Sequence, residues 1–305
     1  MNRLYYFLFR WRPLHWRSIW VYELISFTLM YASVPMIAYG IHPYKIEHLI
    51  IIFFTIITLH SGYFAALIWN DITDADIDQM VHPDRPLPGK RITSRRYFAI
   101  ALIFSGLTFI FAFLVNLWCF LLVGATALFV AIHDKYLKKK MNIPAYSEIF
   151  TPIQWCIVPV FGYIAAQNYI VIPIVILVLF TYFADVSHDI AEGIHDSEAD
   201  KKYNVHTFST SFREQIAAKS SFIILLISGA FGIALYAYTP LSTLFLIGFL
   251  GIWVYTLYRS YPLLTSSRKD MKQIGQLVGK REFDYLLAVY IFIFLDIFTQ
   301  HIGTM

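Results

Sequence analysis

The chain has 305 residues, 58% of them hydrophobic and only 14% charged, which excludes an ordinary soluble domain. The net charge of +4 is too small to point to nucleic acid, and where the basic residues fall says more than their sum. The two cysteines, Cys119 and Cys156, sit in apolar segments without metal-ligand spacing, and no disulfide is expected.

The N-terminal stretch MNRLYYFLFRWRPLHWR is basic and aromatic. It lacks a short apolar core followed by a small-residue cleavage site, so no removable signal peptide is expected. Residues 1–17 read as an interfacial segment anchored by Arg and Trp at headgroup level. Apolar runs then predict spans at 18–41 and 46–69. The run 97–133 is too long for one crossing, which takes about 20 residues, and a split near Asn116 makes it two. Further spans are predicted at 148–166, 169–184, 216–238, 241–261 and 285–301.

The expected fold is therefore all-α, an integral membrane protein of nine transmembrane helices. With nine spans the basic residues fall on one side: Arg85 to Arg96 after the second, Lys135 to Lys140 after the fourth, and Lys201 to Arg213 after the sixth. Only Lys45 falls in a loop on the other side. The positive-inside rule makes the basic side cytoplasmic, with the N-terminus on it and the C-terminus opposite.

Two acidic stretches close even-numbered spans on that cytoplasmic side. The first is NDITDADID, residues 70–78. On a helix Asp71, Asp74 and Asp78 share one face, Asn70 lies beside them and Asp76 points away. The second is DVSHDIAEGIHDSEAD, residues 185–200. Asp185, Asp189, Glu192, Asp196 and Asp200 stay within one quadrant of a helix, and Glu198 faces the opposite way. Facing carboxylate clusters repel unless cations lie between them, and hard divalent ions with oxygen ligands fit, magnesium first. Basic residues nearby, Arg85, Lys90, Arg91, Lys138 and Lys202, turn a plain ion site into a candidate diphosphate site. Blander readings exist. Solvated helix ends, or an ion pathway in a transporter, would also place carboxylates here. A calcium loop does not fit, because Gln79 stands at its sixth position and Arg85 at its twelfth.

These motifs carry a resemblance. NDITDADID fits NDxxDxxxD, the first signature of the UbiA superfamily of intramembrane prenyltransferases. DRPLPGKRI resembles the family segment directly downstream of that signature. Asp189, Asp196 and Asp200 fit the second signature, Dx6Dx3D, and KKYNVHTF resembles the family's KxGVxTL segment. The resemblance implies one UbiA-like domain over residues 1–305, with helices around a central cavity under a cytoplasmic polar cap. It implies two magnesium ions bridging to the diphosphate of an isoprenyl donor. Asn70, Asp71, Asp74 and Asp78 would hold one ion, and Asp189, Asp196 and Asp200 the other. Asp71, Asp74, Asp189 and Asp196 would be essential to catalysis. Arg85 matches the arginine beside the diphosphate, and Lys138 the lysine after the fourth helix. The chain departs from the family near the acceptor end. His133 stands where a Tyr is usual, and IPAYSEIF replaces a GN segment before the fifth helix.

The implied activity is magnesium-dependent prenyl transfer to a lipophilic or aromatic acceptor within the membrane. A terpene cyclase on the same scaffold, with no acceptor, is the alternative, and a non-catalytic ion or lipid transporter stands behind both. His60 and Phe64 lie deeper on the face of Asp71 and Asp78 and are candidate cavity walls. His133, His188 and Glu192 are further cavity or acceptor candidates, and Glu148 and Gln154 are polar groups that could meet an acceptor. Asp185 and Glu192 are extra carboxylates able to take a proton.

Overall fold

The computed structural model describes residues 17–41, 44–81, 83, 85–137, 140–267 and 270–303, with side chains from residue 24 onward except at 77, 80 and 81. Lys138 and the interfacial segment 1–16 lie outside the described residues. No strand occurs among the described residues. Helix α1 is Arg17–Tyr39, α2 Ile46–Thr73, α3 Ala75–Val81, α4 Ser94–Val115 and α5 Leu117–Ile132. A π-helical turn, His133–Leu137, extends α5. Then come α6 Tyr146–Phe150, a 3-10 turn Thr151–Cys156, and α7 Ile157–Ala165. Helix α8 is Val171–Lys202, α9 Phe208–Ser211, α10 Glu214–Tyr238, α11 Thr243–Thr265 and α12 Met271–Gly303.

Among the described residues eight helical segments are long and apolar enough to cross a membrane, and Leu24–Tyr39 of α1 is a shorter apolar helix. Their outer faces are greasy: Ile103, Phe113, Trp118 and Leu128 are exposed. In water such a surface would aggregate, whereas against lipid it is the expected exterior. The break at Asn116 is sharp. Its extended backbone ends α4, and its side chain accepts the Cys119 N–H to cap α5.

Three boundaries differ from expectation. The fifth span is not one α-helix: with Pro152 at its start, the 3-10 turn interrupts it. The sixth span and the second acidic stretch form one unbroken 32-residue helix, α8. The last helix begins fourteen residues before the apolar run, because Gly275 and Gly279 carry its polar first half onto α8. A Cβ at Gly275 would meet the Ala191 carbonyl at 2.8 Å, and one at Gly279 the Glu192 backbone nitrogen at 3.0 Å. Only glycine allows that approach of two backbones.

Candidate active site

The first acidic stretch bends. Asp74 leaves helical geometry (φ −102°, ψ 11°) between α2 and α3. The Asp74 N–H still donates to the Asn70 carbonyl and the Asp78 N–H to the Asp74 carbonyl, both at 2.9 Å. The ladder therefore passes through the bend, and Asp71, Asp74 and Asp78 stay on one buried side while Asp76 is exposed. Tyr97 Oη donates to Asp71 Oδ2 at 2.6 Å. Arg85 Nη1 donates to Asp78 Oδ1 at 2.6 Å and lies 3.7 Å from Asp71 Oδ1. Burial pushes the Asp78 carboxyl up from the usual carboxylate range, and Arg85 only partly offsets it. Burial pulls the Arg85 guanidinium down, and Asp78, with Asp71 and Glu192, together more than restore it, so Arg85 titrates above its ordinary value. Lys90 and Arg91 are exposed on the turn after α3, where Lys90 takes a left-handed φ of 51°.

The second stretch is regular. Along α8, Asp189, Glu192, Asp196 and Asp200 are half-buried on one face, and Asp185 is buried a turn deeper. Glu198 points away and pairs with Lys272. Ligand atoms of Asp185, His188 and Asp189 lie within 4.8 Å of one another, a tighter group than the expected trio. His188 Nδ1 donates to the Gly279 carbonyl at 2.9 Å, and its Nε2 is 3.5 Å from Glu192. Lys202 is exposed at the C-terminus of α8, over the Tyr203 ring.

A cavity of about 1050 Å³ is lined by Asn70 and Thr73 of the first stretch, though not by Asp71, Asp74 or Asp78, and by the carboxylates of the second. Asn70, Arg85, Asp189, Glu192, Asp196 and Asp200 line its polar end, and Leu59, Tyr63, Phe109, Val123, Trp155 and Val158 its apolar part. On α2, Leu59 is eleven residues, about 16 Å, from Asn70, so the cavity runs deep along the spans.

Several expected wall residues sit elsewhere. His60 Nε2 pairs with Thr28 Oγ1 at 2.9 Å, with its ring against Tyr31, and it is a hydrogen-bonded core histidine. Phe64 packs on Phe104, and the neighbouring Tyr63 reaches the cavity instead. His133 stacks on Tyr146 with Nδ1 2.8 Å from Asp134, and neither it nor His188 lines the cavity. Lys90, Arg91 and Lys202 are also outside the lining. Lys135, expected only as a mark of membrane topology, lines it, as do Glu148 and Gln154. Tyr97 is a site residue that the sequence did not point to, since nothing in its local sequence ties it to a carboxylate 26 positions earlier.

The donor set suits a hard cation. Asp78 Oδ2 and Asp196 Oδ1 are buried and accept no hydrogen bond from the described residues, which leaves them open to a metal.

A family model, the UbiA prenyltransferase family, matches residues 26–275. The chain belongs to the UbiA prenyltransferase family. It is thus an integral membrane protein and a prenyltransferase by class. A UbiA relative, the digeranylgeranylglyceryl phosphate synthase of Methanosphaera stadtmanae, is 26% identical over 208 residues, 68% of this chain and 75% of that protein. The apo structure of a UbiA homolog from Aeropyrum pernix K1 superposes with a TM-score of 0.68 at 19% identity, covering 91% of this chain and 98% of that one. A UbiA homolog from Archaeoglobus fulgidus, bound to DMAPP and Mg2+, has a TM-score of 0.58 at 16% identity, covering 87% and 96%. The two structures share this fold.

Proposed function

We propose that this chain transfers a prenyl group from an isoprenyl diphosphate to a lipophilic acceptor inside the membrane, as a single domain of nine spans. The observation that carries this is one cavity joining a carboxylate-and-arginine end to an apolar interior. The first end suits a metal-bound diphosphate, and the second an isoprenoid chain. In this reading Asn70, Asp71, Asp74 and Asp78 would hold one magnesium ion, and Asp189, Asp196 and Asp200 a second. The bound ions supply positive charge against the diphosphate as its charge grows.

The protein's own residues do the rest. Arg85 and Lys135 line the polar end and meet the diphosphate oxygens. Tyr63 and Trp155 present aromatic faces to the allylic cation left when the C–O bond breaks. The apolar walls keep water from it. The Methanosphaera relative, whose name gives a glyceryl phosphate bearing two geranylgeranyl groups, supports a lipid acceptor over an aromatic one. The acidic end is cytoplasmic in this topology, and cysteines at Arg85 and Lys272 should label from one side, with Gln167 and Thr239 labelling from the other.

The test is product analysis. Purified protein with magnesium and dimethylallyl, geranyl or geranylgeranyl diphosphate is incubated with and without acceptors, and products are identified by mass spectrometry. A prenylated acceptor with released diphosphate is expected. A cyclic hydrocarbon formed equally well without acceptor would make the chain a cyclase, and no diphosphate release with any of the three donors would overturn the proposed transfer from these diphosphates.

A further inference from the structure

Glu148 belongs to neither acidic stretch. It sits on the one-turn helix α6, in the segment that departs from the family pattern, and lines the cavity against Gly193 of α8. Glu148 is 3% exposed. Its Oε1 accepts the Phe208 N–H at 2.9 Å. Its Oε2 is buried and accepts no hydrogen bond from the described residues. An ionised carboxylate oxygen is an acceptor only, and in that form a buried Oε2 calls for a donor that the described residues do not supply.

The surroundings hold this side chain in place. The Ala145 N–H donates to Ser211 Oγ at 3.0 Å and the Ser147 N–H to the His206 carbonyl at 3.1 Å. Tyr182 Oη donates to the Ile149 carbonyl at 2.9 Å. Gly193 makes room, since a Cβ there would come within 3.0 Å of Glu148 Oε1. Just beyond, the 3-10 turn carries Gln154 and Trp155 into the same cavity, deeper toward its apolar part. A side chain held at Oε1 by the Phe208 N–H and against Gly193 thus lines the cavity.

We infer that Glu148 is a catalytic residue that binds the hydroxyl of an alcohol or phenol acceptor through Oε2 and takes its proton. This rests on the prenyl-transfer reading above. In the step, the prenyl C1–O bond breaks and its electron pair leaves with diphosphate. The acceptor oxygen bonds to C1, and its proton passes to Glu148 Oε2. Gln154, further along the same segment, orients the acceptor without exchanging a proton.

The test compares wild type with E148Q, which keeps the shape and removes the base. Donors are geranyl and geranylgeranyl diphosphate. Acceptors are 1-O-octadecylglycerol phosphate and 4-nonylphenol. E148Q should lose on the order of 10²-fold in kcat/KM for the acceptor while donor KM and the magnesium half-saturation move less than about twofold. Unchanged acceptor kinetics would overturn the assignment. A parallel loss in magnesium half-saturation would overturn it too, making Glu148 a metal ligand. Should E148Q fail to fold, E148D decides: drawing the carboxylate back by one methylene should lower kcat/KM for the acceptor while donor KM and the magnesium half-saturation hold, and acceptor kinetics equal to wild type refute the assignment. A wild type that makes no acceptor-dependent product refutes the prenyl-transfer reading itself, a result distinct from all of these.

Discussion

The two acidic stretches use the same residue type in opposite ways. The first is bent and internally answered, with Asp71 held by Tyr97 and Asp78 by Arg85, on the buried side of a hinge at Asp74. The second is a straight ladder on α8 whose carboxylates face the cavity, answered by a histidine at longer range, with His188 Nε2 3.5 Å from Glu192 and 3.7 Å from Asp189. A cluster with its own cation can stay compact before any ion arrives. A cluster answered only by a histidine at 3.5 Å or more leans harder on what enters the cavity, so the two sides are expected to differ in how they respond to a bound cation.

Chelation sets the largest expected effect. Stripping divalent ions with EDTA should abolish turnover, by about 10³-fold or more, with recovery on adding magnesium. Activity surviving in EDTA would remove the need for metal on either side. Next, D196A and D71A should each lower turnover on the order of 10²–10³-fold with the protein still eluting as a folded particle. A loss at only one of them would show that one stretch alone holds metal. R85Q then sharpens the contrast. With its guanidinium gone, the buried Asp78 charge loses its cation, so the thermal midpoint should fall in EDTA and recover in magnesium. An equal fall in both buffers would mean Arg85 does not stand in for a metal ion. Y97F removes one hydrogen bond to Asp71 and should raise the magnesium half-saturation about tenfold. Smallest of all, D76A and E198A should stay within about twofold of wild type, because both side chains are exposed and the Glu198–Lys272 pair lies in water.

Much of this was legible because bilayer physics is coarse. Span length and one-sided lysines locate the helices, and helical phase separates Asp71 from Asp76 and Asp196 from Glu198. The bend at Asp74 left the phase intact because its hydrogen bonds run through, so an unseen kink did no harm to the face assignment. Tertiary partners were not legible. His60 and Phe64 share a face with Asp71, yet α1 and α4 pack over that face and remove both from the cavity. Pro152 opens the 3-10 turn that breaks the expected fifth span, and a proline in an apolar run does not say which side chains such a turn will swing inward.

The glycine contact between α12 and α8 has a mechanical consequence. Gly275 and Gly279 lock two backbones together beside Ala191 and Glu192, so the carboxylate ladder cannot roll about its axis without driving atoms into α12. One wall of the site is a fixed anvil. The opposite wall carries the hinge at Asp74. A change in the gap between the two stretches would therefore fall on the bend before α3 rather than on α8.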